Sequence, residues 1–431
     1  MIMKHTKLSL DTNTRRKYCI VCQTTLLDDL VIVGEQYPSA IFPDPNSNYK
    51  NVTPKVSLNL TKCSNSACGL VQLSHEYDLD HVFKRYPFVS GATATMKQIL
   101  EDVVDDMLRT VELKQTDTVL DIGGNDGTLL STIDNQIAAK INIDAAYGIQ
   151  QVSDESNYVY VRDKFSAQTY LDLNLPLPKM IFSTAMYYHL TDPLEFTKNV
   201  RQIMTDETVW CIQMTYLGSM LESNIYDNIV HEHVAHYSLQ SIEYLMNSLD
   251  LVIVDSEVVS PYGGSIRLKI MKKIEGETQD ISTNLRKLRE CESVSGVNSI
   301  QALEKFNDRI MLLKNMTKDI VSHLVEKHGK MIALGASTKG NMLCQFLELN
   351  NEYIECALDN NEKKIGLIMT GSEIPVVNEK DYFNNLPDYL FVLPYYYVQF
   401  FQKLIRVQLG VGEHISLLVP LPHPHFIEVK H

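Results

Sequence analysis

The stretch Asp121-Ile122-Gly123-Gly124-Asn125-Asp126-Gly127, set directly after Val119-Leu120, constrains the fold of this chain more than any other segment. Apolar and β-branched residues suit a buried parallel strand, and Gly123, Gly124 and Gly127 permit positive φ and close approach of a ligand to the backbone. Thr128-Leu129-Leu130 can then start a helix. The Gly-x-x-x-Gly spacing departs from the Gly-x-Gly-x-x-Gly of dinucleotide sites, so the turn suits a small adenosyl ligand better than a pyrophosphate. That ligand points to S-adenosylmethionine, the alternative being a tight turn that binds nothing.

Strand and helix signals alternate around this turn. Ile99, Val103, Met107 and Val111 mark a leading helix from Met96 to Leu113. Ala145–Ile149 reads as the second strand, Met180–Phe182 as the fourth and Thr208–Ile212 as the fifth. The expected fold class is therefore α/β, a doubly wound Rossmann-like core with its ligand at the strand C-termini. Residues 282–328 read as a charged helical connector that buries Leu285, Leu288, Leu303, Phe306, Met311 and Leu324. A second α/β unit opens at Lys330–Leu334 and turns through Gly335–Gly340 into a helix, and its next strand, Tyr353 to Leu358, ends in Asp359. Ser337 at a helix N-terminus, Lys339 beside it and Asp359 are the parts needed to hold a nucleoside diphosphate. A ligand-free unit used for packing or dimerisation is the alternative.

Two short-spaced thiol pairs, Cys19-x2-Cys22 and Cys63-x4-Cys68, precede all of this. Each pair can grip one edge of a tetrahedron, which suits a structural zinc with no open position for catalysis. The other four of the eight cysteines are scattered. A length of 431 residues predicts about three domains. The net charge of −14 argues against nucleic-acid binding, which relies on clustered Lys and Arg. The polar start and the lack of a long apolar run argue against a signal peptide and a membrane span, so a cytoplasmic protein with reduced thiols is expected.

The segment from Tyr226 to Tyr237 is dense in titratable groups and contains His231-Glu232-His233. Ala235, four residues after His231, rules out the His-Glu-x-x-His form of a zinc protease. General acid–base chemistry is the remaining use, for which a carboxylate beside a histidine orients it and raises its basicity. His231 and His236 read more readily as packing residues. Tyr262-Gly263-Gly264-Ser265-Ile266-Arg267 suggests either a hinge that brings Arg267 into the cleft or a plain hairpin turn.

Taken in order, these parts resemble the sugar C-methyltransferases that act on nucleotide-linked 4-keto sugars. The resemblance is carried by the four cysteines, Ser90-Gly91 after Tyr86, Asp121 to Gly127, His189-Leu-Thr-Asp192-Pro193, Glu232-His233, Gly263 to Arg267, and Gly335 to Asn341. It implies a zinc-binding domain (1–80), an S-adenosylmethionine-dependent methyltransferase domain (81–280), a helical connector (281–328) and a C-terminal Rossmann-like domain that binds a sugar nucleotide (329–431). It further implies an enolate formed by His233, which Glu232 orients; His231 and Tyr262 are further catalytic candidates. The cofactor would lie against Tyr86, Ser90, Asp121, Gly123, Asn125, Asp126, Gly127, Gln150 and His189. Substrate would meet Arg267, Ser337, Lys339, Asn341 and Asp359, in a monomer or homodimer. Three positions depart from the family pattern: Val230 replaces a tyrosine, Tyr262 replaces a histidine, and the expected second strand ends in Gln150 where an acid is usual. Heteroatom methylation and a non-catalytic sugar-nucleotide or adenosyl-binding protein are the competing expectations.

Overall fold

The computed structural model describes residues 13–78, 89–133, 136–146, 149–153, 156–276, 279–382, 386–409 and 414–430, and Tyr262 by its backbone alone. Two large sheets organise the chain. The first contains β1 (Thr118–Ile122), β2 (Ala139–Ile143), β3 (Tyr158–Val161), β4 (Met180–Thr184), β5 (Val209–Thr215), β6 (Leu251–Val259) and β7 (Ser265–Lys272). Their order is β6-β7-β5-β4-β1-β2-β3, with β1 to β5 parallel and β7 antiparallel to both neighbours. Every residue of β1, β2 and β5 is buried, as befits strands covered on both faces.

The second sheet contains β8 (Met331–Leu334), β9 (Ile354–Asp359), β10 (Val376–Asn378), β11 (Tyr389–Val392), β12 (His414–Val419) and β13 (His425–Lys430), in the order β10-β9-β8-β11-β12-β13. Only β13 runs antiparallel. Both sheets are doubly wound α/β, and in each the first strand lies where the winding direction reverses, the place where such sheets bind ligands. Gly123–Gly127 follows β1 and Gly335–Gly340 follows β8, so the two glycine turns open from equivalent ends.

The second strand of the first sheet is Ala139–Ile143 rather than Ala145–Ile149. Lys140 and Asn142, both wholly buried, interrupt its apolar pattern. The Lys140 ammonium donates to the Ile133 carbonyl at 2.6 Å, and the Asn142 amide donates to Gln151 Oε1 at 2.8 Å. Those internal partners are what let polar residues sit in a buried strand.

Helices Thr283–Ser295 and Ile300–His328 connect the sheets, with Gly296 at φ 64° closing the first. Leu285, Leu303, Phe306 and Leu324 are buried as expected, and Leu288 packs against the core. Met311 faces outward instead. Near the start of the chain, Leu60–Lys62 and Val71–Leu73 form a hairpin, and Ala235–His236 joins it as a third, antiparallel strand. The cysteine lobe is thereby stitched to the chain two residues beyond His233. Among the described residues, no helix is long and apolar enough to cross a membrane.

Candidate active site

Both glycine turns open onto one cavity of about 1590 Å³, lined from Asp121, Gly123, Asn125 and Asp144 through Glu232 and His233 to Ser337, Lys339 and Asp359. A site for one small ligand is typically about 300–1,000 Å³, so this volume has room for two.

Turn geometry sets the first end. Gly123 and Gly127 have φ of 74° and 81°, the left-handed region that glycine tolerates, and Asn125 joins them at 54°. Gly124 is required for space: a Cβ there would lie 2.5 Å from Asp121 Oδ2 and 2.6 Å from Asn142 Oδ1. Burial, with Asp144 and Asp126 nearby, pushes the Asp121 carboxyl up to about 8. Asn125 and Asp126 also work as clamps. Asn125 Oδ1 accepts from Ser90 N at 3.0 Å, and Asp126 Oδ2 accepts from Gly91 N at 2.8 Å. The Ser90-Gly91 turn is thus held over the loop, while Tyr86 lies outside the described residues.

At the end of β2 stands Asp144, an acid the sequence reading missed. Its Oδ2 accepts from Asn125 N at 2.8 Å and its Oδ1 from Ala146 N at 2.7 Å, which fixes the carboxylate at the cavity wall. Gln150 is exposed and is not among the lining residues. The apparent loss of the acid therefore came from misplacing β2 by six residues. Gln151, which the sequence reading also passed over, braces the loop by donating from Nε2 to the Asn125 carbonyl at 2.9 Å.

The middle of the cavity holds Tyr77, Tyr188, His189, Val230, Glu232 and His233. His233 Nδ1 lies 2.7 Å from the Asn228 carbonyl oxygen, which can only accept, so Nδ1 carries the proton and Nε2 keeps its lone pair. His233 is accordingly oriented by Asn228, and not by Glu232 as expected. Burial first, then His189, Lys339 and His236, holds its pKa well below the usual histidine value. The His189 ring stacks on it at 5.4 Å, and burial lowers His189 to about 3. Burial raises the Glu232 carboxyl to about 7, and its Oε2 has no hydrogen-bond partner among the described residues. Tyr77, also missed in the sequence, has a buried hydroxyl in the same condition, and Glu232 is among the charges that push it further up. No motif marks Tyr77, because the hairpin pairing that brings it here is long-range.

Other expected residues lie elsewhere. His231 does not line the cavity; it packs on Tyr77 at 5.2 Å, and burial lowers it to about 4. Arg267 is buried in an ion-pair cluster against the helix Ala94–Leu108. Its Nη2 donates to Asp102 at 2.6 Å and its Nε to Gln213 at 2.8 Å, which leaves it no substrate role in the cavity. Asn341 is wholly buried and donates to the Ser39 carbonyl at 3.0 Å. Tyr262 sits in the short turn Pro261–Gly263.

At the far end, Ser337 caps the helix Thr338–Phe346, its Oγ accepting from Gly340 N at 2.9 Å. Asp359 is largely committed to its own loop. It accepts from Ala336 N at 3.0 Å and Asn361 N at 2.8 Å and pairs with Lys364 at 3.6 Å.

Apart from the cavity, Cys19, Cys22, Cys63 and Cys68 bring four sulfurs within 4.8 Å of one another, with Cys19–Cys68 at 3.8 Å and Cys22–Cys63 at 3.3 Å. Zinc–sulfur bonds of about 2.3 Å in a tetrahedron put sulfurs about 3.8 Å apart, so the four fit that ion. The Cys68 bond lowers Cys19 to about 6, whereas Cys63 is raised to about 12, chiefly by burial, and Cys68 is raised, chiefly by its bond to Cys19.

Residues 93–256 match the family model of a methyltransferase domain, and residues 260–422 match that of a C-methyltransferase C-terminal domain. The chain is 23% identical over 365 residues to C-methyltransferase NovU of Streptomyces niveus, covering 84% of this chain and 86% of that protein. Among solved structures, it is similar to a putative methyltransferase in complex with the Haloferax volcanii Trm112 activator. The values are 12% identity, TM-score 0.33, and coverage of 42% of this chain and 95% of that one. It is also similar to an S-adenosylmethionine-dependent methyltransferase of Anabaena variabilis, at 10% identity and TM-score 0.34, covering 45% and 91%.

Proposed function

The chain is an S-adenosylmethionine-dependent methyltransferase with a C-methyltransferase C-terminal domain, and from that premise we propose that it methylates the carbon beside the ketone of a nucleoside-diphosphate-linked deoxysugar. The observation that carries this reading is the single cavity joining the Asp121–Gly127 turn, the Nε2 lone pair of His233 and the Ser337 helix start. In it, Asp144 takes the adenosyl ribose, with Ser90, Asp121, Gly123, Asn125 and His189 around the cofactor. The diphosphate meets the start of Thr338–Phe346, where a helix favours an anion. S-adenosylmethionine, when bound, supplies the sulfonium methyl that the carbon takes.

His233 removes the carbon-bound proton. So weak a base needs help at the ketone oxygen, where negative charge develops. Glu232, its carboxyl raised to about 7 by burial, supplies one O–H donor in its protonated form and Tyr77 another. A carboxyl kept neutral by burial can donate a hydrogen bond, which an ionised one cannot. The cysteine cluster holds a structural zinc, for which Cys19, Cys22, Cys63 and Cys68 supply the complete ligand set.

Incubation with a nucleoside-diphosphate 4-keto-6-deoxyhexose in deuterated water, with S-adenosylhomocysteine and no methyl donor, tests the proton step. Deuterium should enter at the carbon next to the ketone, and His233→Ala should slow entry by about 10²–10⁴-fold. Undiminished exchange and methyl transfer in that variant would remove His233 as the base.

A further inference from the structure

Lys339 was expected among the phosphate ligands, yet its ammonium points toward the other half of the molecule. Its Nζ donates to the side-chain Oδ1 of Asn228, and it lies 5.5 Å from the centre of the Tyr396 ring. Asn228 belongs to the short turn Tyr226–Asn228 and is 1% exposed. Its main-chain carbonyl is the group that receives the Nδ1 proton of His233 at 2.7 Å. One residue therefore touches the lysine with its side chain and the histidine with its backbone.

We infer that Lys339, carried on the helix after β8, is a positioning residue for His233, pinning Asn228 so that its carbonyl fixes the imidazole tautomer. This rests on the reading of His233 as the base. The arrangement makes the base a product of both sheets: one supplies the imidazole and the other the pin. The groups facing His233 are the His189 and Tyr188 rings, His236, Glu232 next to it in the chain, and Lys339. Lys339 is the cation in that set, its pKa held below the usual lysine value by burial, and its positive charge disfavours the imidazolium.

Nitrogen-15 spectra of histidine-labelled protein, with the His233 signal assigned by its loss in His233→Gln, test the inference. In the unaltered protein His233 should be a single Nδ1–H tautomer that resists protonation. Lys339→Met should mix the tautomers and raise the His233 midpoint by at least about half a pH unit, and Asn228→Ala should act in the same direction. Thymidine diphosphate, used as the probe nucleotide, should bind Lys339→Met within about threefold of the unaltered protein, where loss of a phosphate ligand typically costs about tenfold or more. An unchanged His233 signal in both variants would overturn the inference, as would a tenfold loss of nucleotide affinity with that signal unmoved. If the signal moves as stated while His233→Ala keeps full deuterium exchange, the base assignment falls and the positioning stands.

Discussion

A carboxylate at residue 144 and an amide at residue 150 make opposite claims on an adenosyl ribose. Charge-assisted hydrogen bonds are worth about 1.5–3 kcal/mol, so Asp144→Ala should weaken S-adenosylhomocysteine binding about 10–100-fold in calorimetry. Gln150→Ala should leave it within about twofold, and equal losses would contradict the geometry. Asp144 escaped the sequence because Lys140 and Asn142 break the apolar run of β2, while Ala145–Ile149 imitates one. Their buried partners exist only in the folded chain. Asp121 makes a claim about pH. Its carboxyl rises from about 4 in an unfolded chain to about 8, so the stability it contributes is complete below the lower value and is lost as pH rises through the upper one. The buried histidines, shifted downward, act only below about 6.5, whereas the Glu232 carboxyl, raised to about 7, loses stability in the same direction as Asp121, so Asp121→Asn isolates the share of Asp121. The melting temperature of ligand-free protein should fall from about pH 6.5 to 8, and less steeply in Asp121→Asn.

Elements were easier to read than faces. The glycine turn after β1, the paired cysteines and the helix after β8 announce themselves locally, through φ requirements, ligand spacing and a serine cap. Which side of β7 Arg267 occupies is a tertiary fact: it depends on Asp102 and Asp106, some 160 residues earlier, which claim it for the opposite face. The same reasoning links the cysteine hairpin to chemistry. Leu73 N donates to the Val234 carbonyl at 2.9 Å, one residue from His233. Cys63→Ser should therefore lose the zinc proposed for this cluster, measured by metal analysis, and lower both melting temperature and methyl transfer. Metal-free protein with full activity would separate the lobe from the site. At the turn itself, Gly124→Ala should cost about 1–3 kcal/mol by crowding Asp121 and Asn142, read from denaturant unfolding.

At the scale of the whole molecule, two doubly wound sheets turn their ligand ends toward one chamber, and neither owns a complete site. The first brings the glycine turn after β1 and His233; the second brings the Ser337 helix start and Lys339. The order of these parts was legible in the chain, but the shared chamber was not, because it depends on long-range docking through Asn228, Lys339 and the cysteine lobe. The most direct test supplies carbon-13-methyl S-adenosylmethionine and a nucleoside-diphosphate 4-keto-6-deoxyhexose, then locates the label by carbon–proton correlation in the product. The account predicts a methyl bonded to the carbon next to the ketone. A label on oxygen or nitrogen, or on a carbon with no neighbouring ketone, would contradict it.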